Sequence, residues 1–236
     1  MRSLIAGLAA LLVTSPAMAE PGLGAKVYGA RLEPGTTELE ARYGRLTGGA
    51  EDGEDALILE AAHHFSDRFY AAVLLETGRP RQDSRKINAV AIEGIVHLAR
   101  IEPLGLDIAA YGEYGFERGG PDTAETKLLL QHQAGGFDGR LNLIAEKSLR
   151  SGERVEFGYA ASADWAVVGE FRAGAAAFGE FEGSRHYLGP IVKTEIEHLP
   201  MTGELSIETG FLFAVGNARH DSRGQARLLL EYEFQF

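Results

Sequence analysis

The sequence predicts an all-β protein, an antiparallel up-and-down transmembrane β-barrel of about twelve strands, with counts of ten or fourteen also compatible with the pattern. Three observations lead there. The N-terminus reads as an export leader, the rest of the chain repeats an apolar–polar period of two, and its connections alternate between tight turns and longer polar loops.

Met1-Arg2 gives a positively charged start, and Leu4 to Val13 is an unbroken run of apolar residues and glycine. Thr14-Ser15-Pro16 breaks that run, and Ala17-Met18-Ala19 supplies a small-x-small cleavage site. Residues 1–19 are therefore expected to be a signal peptide cut before Glu20, and the absence of cysteine excludes a lipoprotein. No later stretch reaches the ~20 apolar residues of a membrane-spanning helix. Residues 20–35 are expected as a periplasmic N-terminal segment, although an inserted plug or one extra strand also fits, and 36–236 form the barrel.

Composition narrows the function classes. With no cysteine, disulfide scaffolds and Cys-ligated metal centres are excluded. A formal charge of −11 and a pI near 5.1 argue against nucleic acid as a partner. Thirty glycines in 236 residues exceed the usual ~7%, which suits a narrow barrel wall where small residues leave room and allow bends.

Six hairpins are expected in order: 38–47/55–65, 68–77/86–101, 106–117/124–134, 138–149/153–162, 165–179/185–197 and 204–217/224–236. In the second, Phe69, Ala71, Val73 and Leu75 oppose Arg68, Tyr70 and Glu76, and Val90, Ile92, Val96 and Leu98 oppose Glu93 and His97. In the third, Leu106, Ile108, Ala110, Tyr114 and Phe116 oppose Asp107, Tyr111, Glu113 and Glu117. In the fifth, Trp165, Val167 and Phe171 oppose Glu170 and Arg172. In the sixth, Leu205, Ile207, Thr209, Phe211, Phe213 and Val215 oppose Glu204, Ser206, Glu208, Gly210 and Leu212. Such a strand has one apolar and one polar face.

Tight turns are expected at Ser66-Asp67, Glu102-Pro103-Leu104, Gly135-Gly136, Ala163-Asp164 and Leu199-Pro200-Met201-Thr202. Longer loops fall at 47–54, 78–86, 118–123, 150–153, 181–185 and 217–223. Short periplasmic turns opposite longer extracellular loops would place both termini in the periplasm. Phe65, Phe69, Phe137 and Trp165 at the turn ends, with Tyr114, Phe116, Phe178, Phe181, Tyr187 and Phe213 toward the loop ends, suggest two aromatic girdles.

The final strand alternates most clearly: Ala226, Leu228, Leu230, Tyr232, Phe234 and Phe236 share one parity, and Arg227, Leu229, Glu231, Glu233 and Gln235 the other. Its end, Leu230, Tyr232, Phe234 and the terminal Phe236, resembles the C-terminal signature of Gram-negative outer-membrane β-barrel proteins. That resemblance implies outer-membrane lipid as surroundings and recognition of the last strand by the barrel-assembly machinery. At the level of architecture the chain also looks like the small twelve-stranded oligosaccharide porins, whose arginine tracks for acidic sugars have no counterpart here.

Turning the charged parity inward gives a lumen lined by Glu40, Arg42, Glu60, His64, Arg68, Glu76, Glu93, Glu113, Lys127, Arg140, Glu170, Arg172, Lys193, Glu208, Arg227, Glu231 and Glu233. Glutamate dominates, so an open lumen is expected to favour cations. The expected function is a small solute channel or a structural barrel without catalysis, cofactor or metal. The alternatives are an outer-membrane lipid-modifying enzyme and a soluble periplasmic β-sandwich or lipocalin-like binding protein. His64-Phe65-Ser66 has the His-x-Ser spacing of lipid A deacylases, which it resembles, but it sits at a turn. His63, His64, His97, His132 and His198 gather at the turn ends, where a metal site or a pH response is one reading, but parity puts His63 and His132 on the lipid side, so interfacial side chains are the expected one.

Overall fold

A computed structural model describes residues 22–200 and 203–235. The expected signal peptide and the terminal Phe236 lie outside the described residues.

Twelve antiparallel strands close on themselves in sequence order, the last pairing with the first. They are β1 Thr36–Thr47, β2 Asp55–His64, β3 Phe69–Arg79, β4 Lys86–Ile101, β5 Leu106–Glu117, β6 Thr123–Ala134, β7 Phe137–Ser148, β8 Glu156–Val168, β9 Phe171–Glu180, β10 Arg185–Leu199, β11 Gly203–Gly216 and β12 Gly224–Gln235. A short helix, α1 Ala218–Asp221, sits in the β11–β12 loop. Closure leaves no free sheet edge, which is what a sheet crossing lipid requires.

The alternation decides the faces. Leu39, Leu59, Val73, Ile92, Leu128, Leu143 and Leu188 are exposed on the outside, while their neighbours Glu40, Glu60, Ala72, Glu93, Leu129, Asn142 and Tyr187 are buried inside. Around the turn end Phe65 and Phe69 lie 5.7 Å apart, and Phe137 and Trp165 4.8 Å. At the loop end Tyr114–Phe116, Tyr159–Phe181 and Phe211–Phe213 form the second ring. Phe178 and Tyr187, expected in that girdle, instead point inward at 2% and 6% exposure. The small inward face of β9, Gly174 and Ala176, leaves volume that Phe178 fills.

Two boundaries differ from expectation. The Ala163-Asp164 turn does not exist: β8 runs on to Val168, and the reversal is at Gly169-Glu170, where Gly169 has φ +52°. Asp164 remains in the strand because it is an ion-pair partner of Lys193 at 3.0 Å and of Arg172 inside the barrel. The equally short reversal at Gly135-Gly136 has positive φ at both positions (56° and 85°), the geometry that glycine adopts freely in a two-residue hairpin.

The larger departure is the segment before β1. Instead of extending as a periplasmic segment, residues 22–35 run through the barrel. Gly22 and Leu23 lie at the loop end beside Thr77, Asn88 and Thr123, and Glu33 lies at the turn end beside His64. The start of the described chain is thus at the loop end, opposite the start of β1. The physical reason is burial on both faces. Leu23, Ala25 and Val27 pack on Ile144, Ala176, Phe178 and Leu212. Tyr28, Ala30 and Leu32 pack on Tyr70, Leu74, Tyr111 and Leu129. Gly44 of β1 makes the path passable, since a Cβ there would stand 2.6 Å from the Gly24 nitrogen.

Candidate functional site

The plug has no strand partner, so its main-chain groups must be satisfied by the wall's side chains. Asn142 of β7 faces Tyr28, accepting from its N–H at 2.8 Å and donating to its carbonyl at 3.0 Å. Gln131 Oε1 of β6 accepts from the N–H of Ala30 at 2.9 Å and of Arg31 at 3.3 Å. His64 Nδ1 of β2 accepts from Glu33 N–H at 2.9 Å, which leaves Nε2 as the donor to Glu38 at 2.6 Å. Arg227 of β12 donates to the Ala25 carbonyl at 2.5 Å and lays its guanidinium 4.1 Å from the Phe178 ring centre.

At mid-height the segment meets the charged parity. Lys26 Nζ lies 2.8 Å from Glu40, 3.2 Å from Glu231 and 3.8 Å from Glu60. Arg42 reaches Glu40 at 3.0 Å and Glu60 at 2.9 Å, and donates to the Tyr28 hydroxyl at 3.1 Å. The Tyr28 hydroxyl donates in turn to Glu93 at 2.8 Å. Tyr70 and Tyr111 also point at Glu93, at 3.1 and 2.7 Å, sharing their protons with Glu60 and Glu113 respectively. Two cations and four carboxylates therefore interlock, with three phenols converging on Glu93. Buried charges are tolerated when they are paired and hydrogen-bonded in this way.

Cavities lie above and below this waist. On the loop side a space of about 220 Å³ is lined by Glu76, Glu113, Glu117, Glu125 and Glu146, with Lys127. Lys127 holds Glu125 at 2.8 Å and lies 4.1 Å from the Tyr111 ring centre and 4.5 Å from that of Tyr28. On the turn side a larger space of about 710 Å³ is lined by Arg140, Arg172, Lys193, Glu195, Glu204, Glu208, Glu231 and Glu233. Lys26 borders both. A third space of about 230 Å³, along Arg31, Glu38, His64 and Gln133, also opens toward the turns.

Of the residues expected on the lumen, Glu40, Arg42, Glu60, Glu93 and Glu231 meet at the waist, and Glu76, Glu113 and Lys127 border the loop-side space. Arg140, Arg172, Lys193, Glu208 and Glu233 border the turn-side space. Two do not lie on the wall. Arg68 is exposed in the β2–β3 turn, and Glu170 stands in the β8–β9 turn at the rim of the larger space. Lys26 and Tyr28, both central, were not singled out from the sequence. Asn142, Gln131 and Tyr111 sit on the inward parity but carry no charge pattern that marks them.

The histidines and the serine spacing resolve into structural contacts. Ser66 Oγ accepts from the N–H groups of Arg68 and Phe69, capping its turn, while His64 is engaged with Glu38 and Glu33. His97 faces Asp107 at 3.3 Å, and His132 Nδ1 lies 3.2 Å from the Gly105 carbonyl. Among the described residues no group of histidines and acids is arranged to hold a metal.

The loop end is also packed. α1 buries Ala218 against the upper lumen, Tyr187 meets Ser222 at 3.0 Å, and Glu51 N–H donates to the Asp221 carbonyl at 2.9 Å. Partial burial and the nearby Asp221 and Glu54 raise the Glu51 carboxyl above its ordinary range.

No family model and no curated protein matches the chain. Solved structures do. The chain is similar to the NanC porin, with a TM-score of 0.57 at 12% identity over 84% of this chain and 100% of that one. It is equally similar to the KdgM porin, also solved in complex with disordered oligogalacturonate, with a TM-score of 0.56 at 12% identity over 84% of this chain and 99% of that one. At 12% identity the likeness is one of fold, a closed β-barrel, and this chain's own outer face, apolar between aromatic rings at its two ends, is one that a membrane accommodates.

Proposed function

We propose that the protein is a small-solute channel with a preference for cations, and that its own N-terminal segment narrows the lumen at the waist. The observation that carries this reading is the pair of polar spaces on one axis, separated by a segment that forms no part of the barrel wall. The proposed lining is the inward set from Glu40, Arg42, Glu60 and Glu93 through Arg227, Glu231 and Glu233. Five glutamates against Lys26, Arg42 and Lys127 leave the loop-side lining acidic, which supports cation preference, because an acidic wall raises the local concentration of cations. The oligogalacturonate of the KdgM complex does not suit that wall, since a polyanion would meet mostly carboxylates.

A barrel without catalysis is the reading that the engaged His64 and Ser66 support, each committed to other partners. Outer-membrane lipid would contact the apolar band, and the assembly machinery would read Leu230, Tyr232 and Phe234 of β12 together with the Phe236 that follows in sequence. Planar-bilayer recording tests the channel. Folded, heat-modifiable protein should give small conductance steps whose reversal potential in a KCl gradient lies on the cation side. Lys26→Met, which releases the clamp on Glu40, Glu60 and Glu231, should enlarge the steps. Absence of steps in both proteins would overturn the reading.

A further inference from the structure

We propose that the lumen wall is a binding site for an extended peptide main chain, that residues 22–35 occupy it in this structure, and that the channel's solute class is short extended peptides. The inference rests on the channel reading above and names its substrate.

The recognition is of backbone. Asn142 reads both the N–H and the carbonyl of one residue, as a neighbouring strand would, at 2.8 and 3.0 Å. Gln131 reads the N–H two residues further on at 2.9 Å, and His64 the N–H of Glu33 at 2.9 Å. Arg227 reads the carbonyl of Ala25, three residues before Tyr28. These four groups come from β7, β6, β2 and β12, so they surround the path. None of the four contacts uses a side chain of the segment. Any extended chain could therefore replace it at these atoms, just as strand addition takes its affinity from main-chain bonds and its selectivity from side-chain slots.

The slots are present and alternate. One wall, with Ile144, Ala176, Phe178 and Leu212, receives small and branched apolar side chains at odd positions. The opposite wall offers Tyr70, Tyr111 and Leu129 to an aromatic residue. Between them Glu40, Glu60 and Glu231 form a slot for a basic residue, filled by Lys26. A peptide that alternates small apolar residues with lysine or arginine matches both the spacing and the acidic surplus. Arg227 supports a role in ligand exchange: its Nε and Nη1 have no hydrogen-bond partner among the described residues although the side chain is buried, so its fixed bond is to a main-chain carbonyl that any peptide supplies.

The test keeps the full chain and weakens only the tethered occupant. In Lys26→Ala/Tyr28→Ala the wall is intact and the segment keeps its main-chain contacts but loses its two side-chain anchors, the Lys26 ion pairs and the Tyr28 packing. A fluorescent synthetic peptide with the sequence of residues 22–33 should then bind the detergent-folded barrel, read by anisotropy, and should block the enlarged conductance. The same peptide N-methylated at the Tyr28 and Ala30 positions, or the native peptide offered to a barrel also carrying Asn142→Leu and Gln131→Leu, should bind at least about tenfold more weakly. If the double variant fails to fold, Val27→Asp, which puts a charge against the apolar wall, releases the segment by another route. Equal affinity for the native and N-methylated peptides, or no binding to either folded variant, would overturn the peptide site. Binding without any conductance would instead remove the channel reading and leave the site standing.

Discussion

Asn142 holds Tyr28 as a strand would: one carboxamide accepts from the tyrosine N–H at 2.8 Å and donates to its carbonyl at 3.0 Å, with both groups inside the barrel. Substituting leucine keeps roughly the volume but leaves two buried main-chain groups without partners, each costing about 1–3 kcal/mol. Asn142→Leu is expected to loosen the segment without unfolding the wall, because Asn142 contributes its own main chain to β7 in either case. Hydrogen exchange should quicken at residues 24–32 while amides of β3, β4 and β5 stay protected. Unchanged exchange at Tyr28 would show that the packing of Leu23, Val27 and Tyr28 holds the segment by itself.

Gly44 supplies a steric test of the same contact. A Cβ at this position would lie 2.6 Å from the Gly24 nitrogen and 3.1 Å from the Leu23 carbonyl carbon, main-chain atoms that have no rotamer to escape into. Gly44→Val should leave the ladders of β1 intact, since valine favours a strand and the pairings with Ala56 and Arg227 are through the main chain. The barrel is expected to keep its heat-modifiable gel mobility while a protease reaches the segment. A variant that folds with the segment still protected would mean that the path past β1 is wider than the glycine implies.

Glu51 gives a pH dependence with a definite sign. Its carboxyl is raised by partial burial and by Asp221 and Glu54, so the folded loop disfavours the charged form. The group therefore contributes nothing favourable while ionised in both states, and the contact between the 47–54 and 217–223 loops strengthens as pH falls through the folded-state pKa. Glu51→Gln should abolish that change and make the loop contact at neutral pH resemble the wild type at lower pH. Amide exchange at Ser222 and Arg223, followed from pH 7 downward, reads the difference, and identical profiles in the two proteins would contradict it.

The barrel was legible because a period of two is the physical signature of a wall between lipid and lumen, and β12 shows it from Ala226 to Phe234 with Leu229 as the one apolar residue on the inward parity. The interior charges followed from the same parity, which is why Glu40, Arg42, Glu60 and Glu93 were found without a motif. Lys26 and Tyr28 were not, because their segment makes no ladder: its two faces both bury, and its partners are side chains on four different strands. The β8–β9 reversal was misplaced for a tertiary reason. Ala163-Asp164 and Gly169-Glu170 are both turn-like locally, and the choice is made by Lys193 and Arg172, which hold Asp164 in the strand. Phe178 and Tyr187 mislead for the opposite reason, as aromatic residues of the inward parity that fill space left by glycine and alanine.

Val73 tests the lipid face directly. It stands near the middle of β3, 54% exposed, between the buried Ala72 and Leu74. More than half of its surface is uncovered by protein, and its partners on the neighbouring strands, Ala61 and Ile92, are apolar too, as a face against hydrocarbon requires. Val73→Arg should cost about 2–4 kcal/mol of folding free energy, the penalty for arginine near a bilayer midplane. Leu104, 60% exposed but in the β4–β5 turn, is the matched control, and Leu104→Arg should cost little because its charge reaches water. Reversible folding into phospholipid vesicles by denaturant titration measures both. Equal costs at the two positions would place Val73 in water and remove the membrane orientation of the whole outer face.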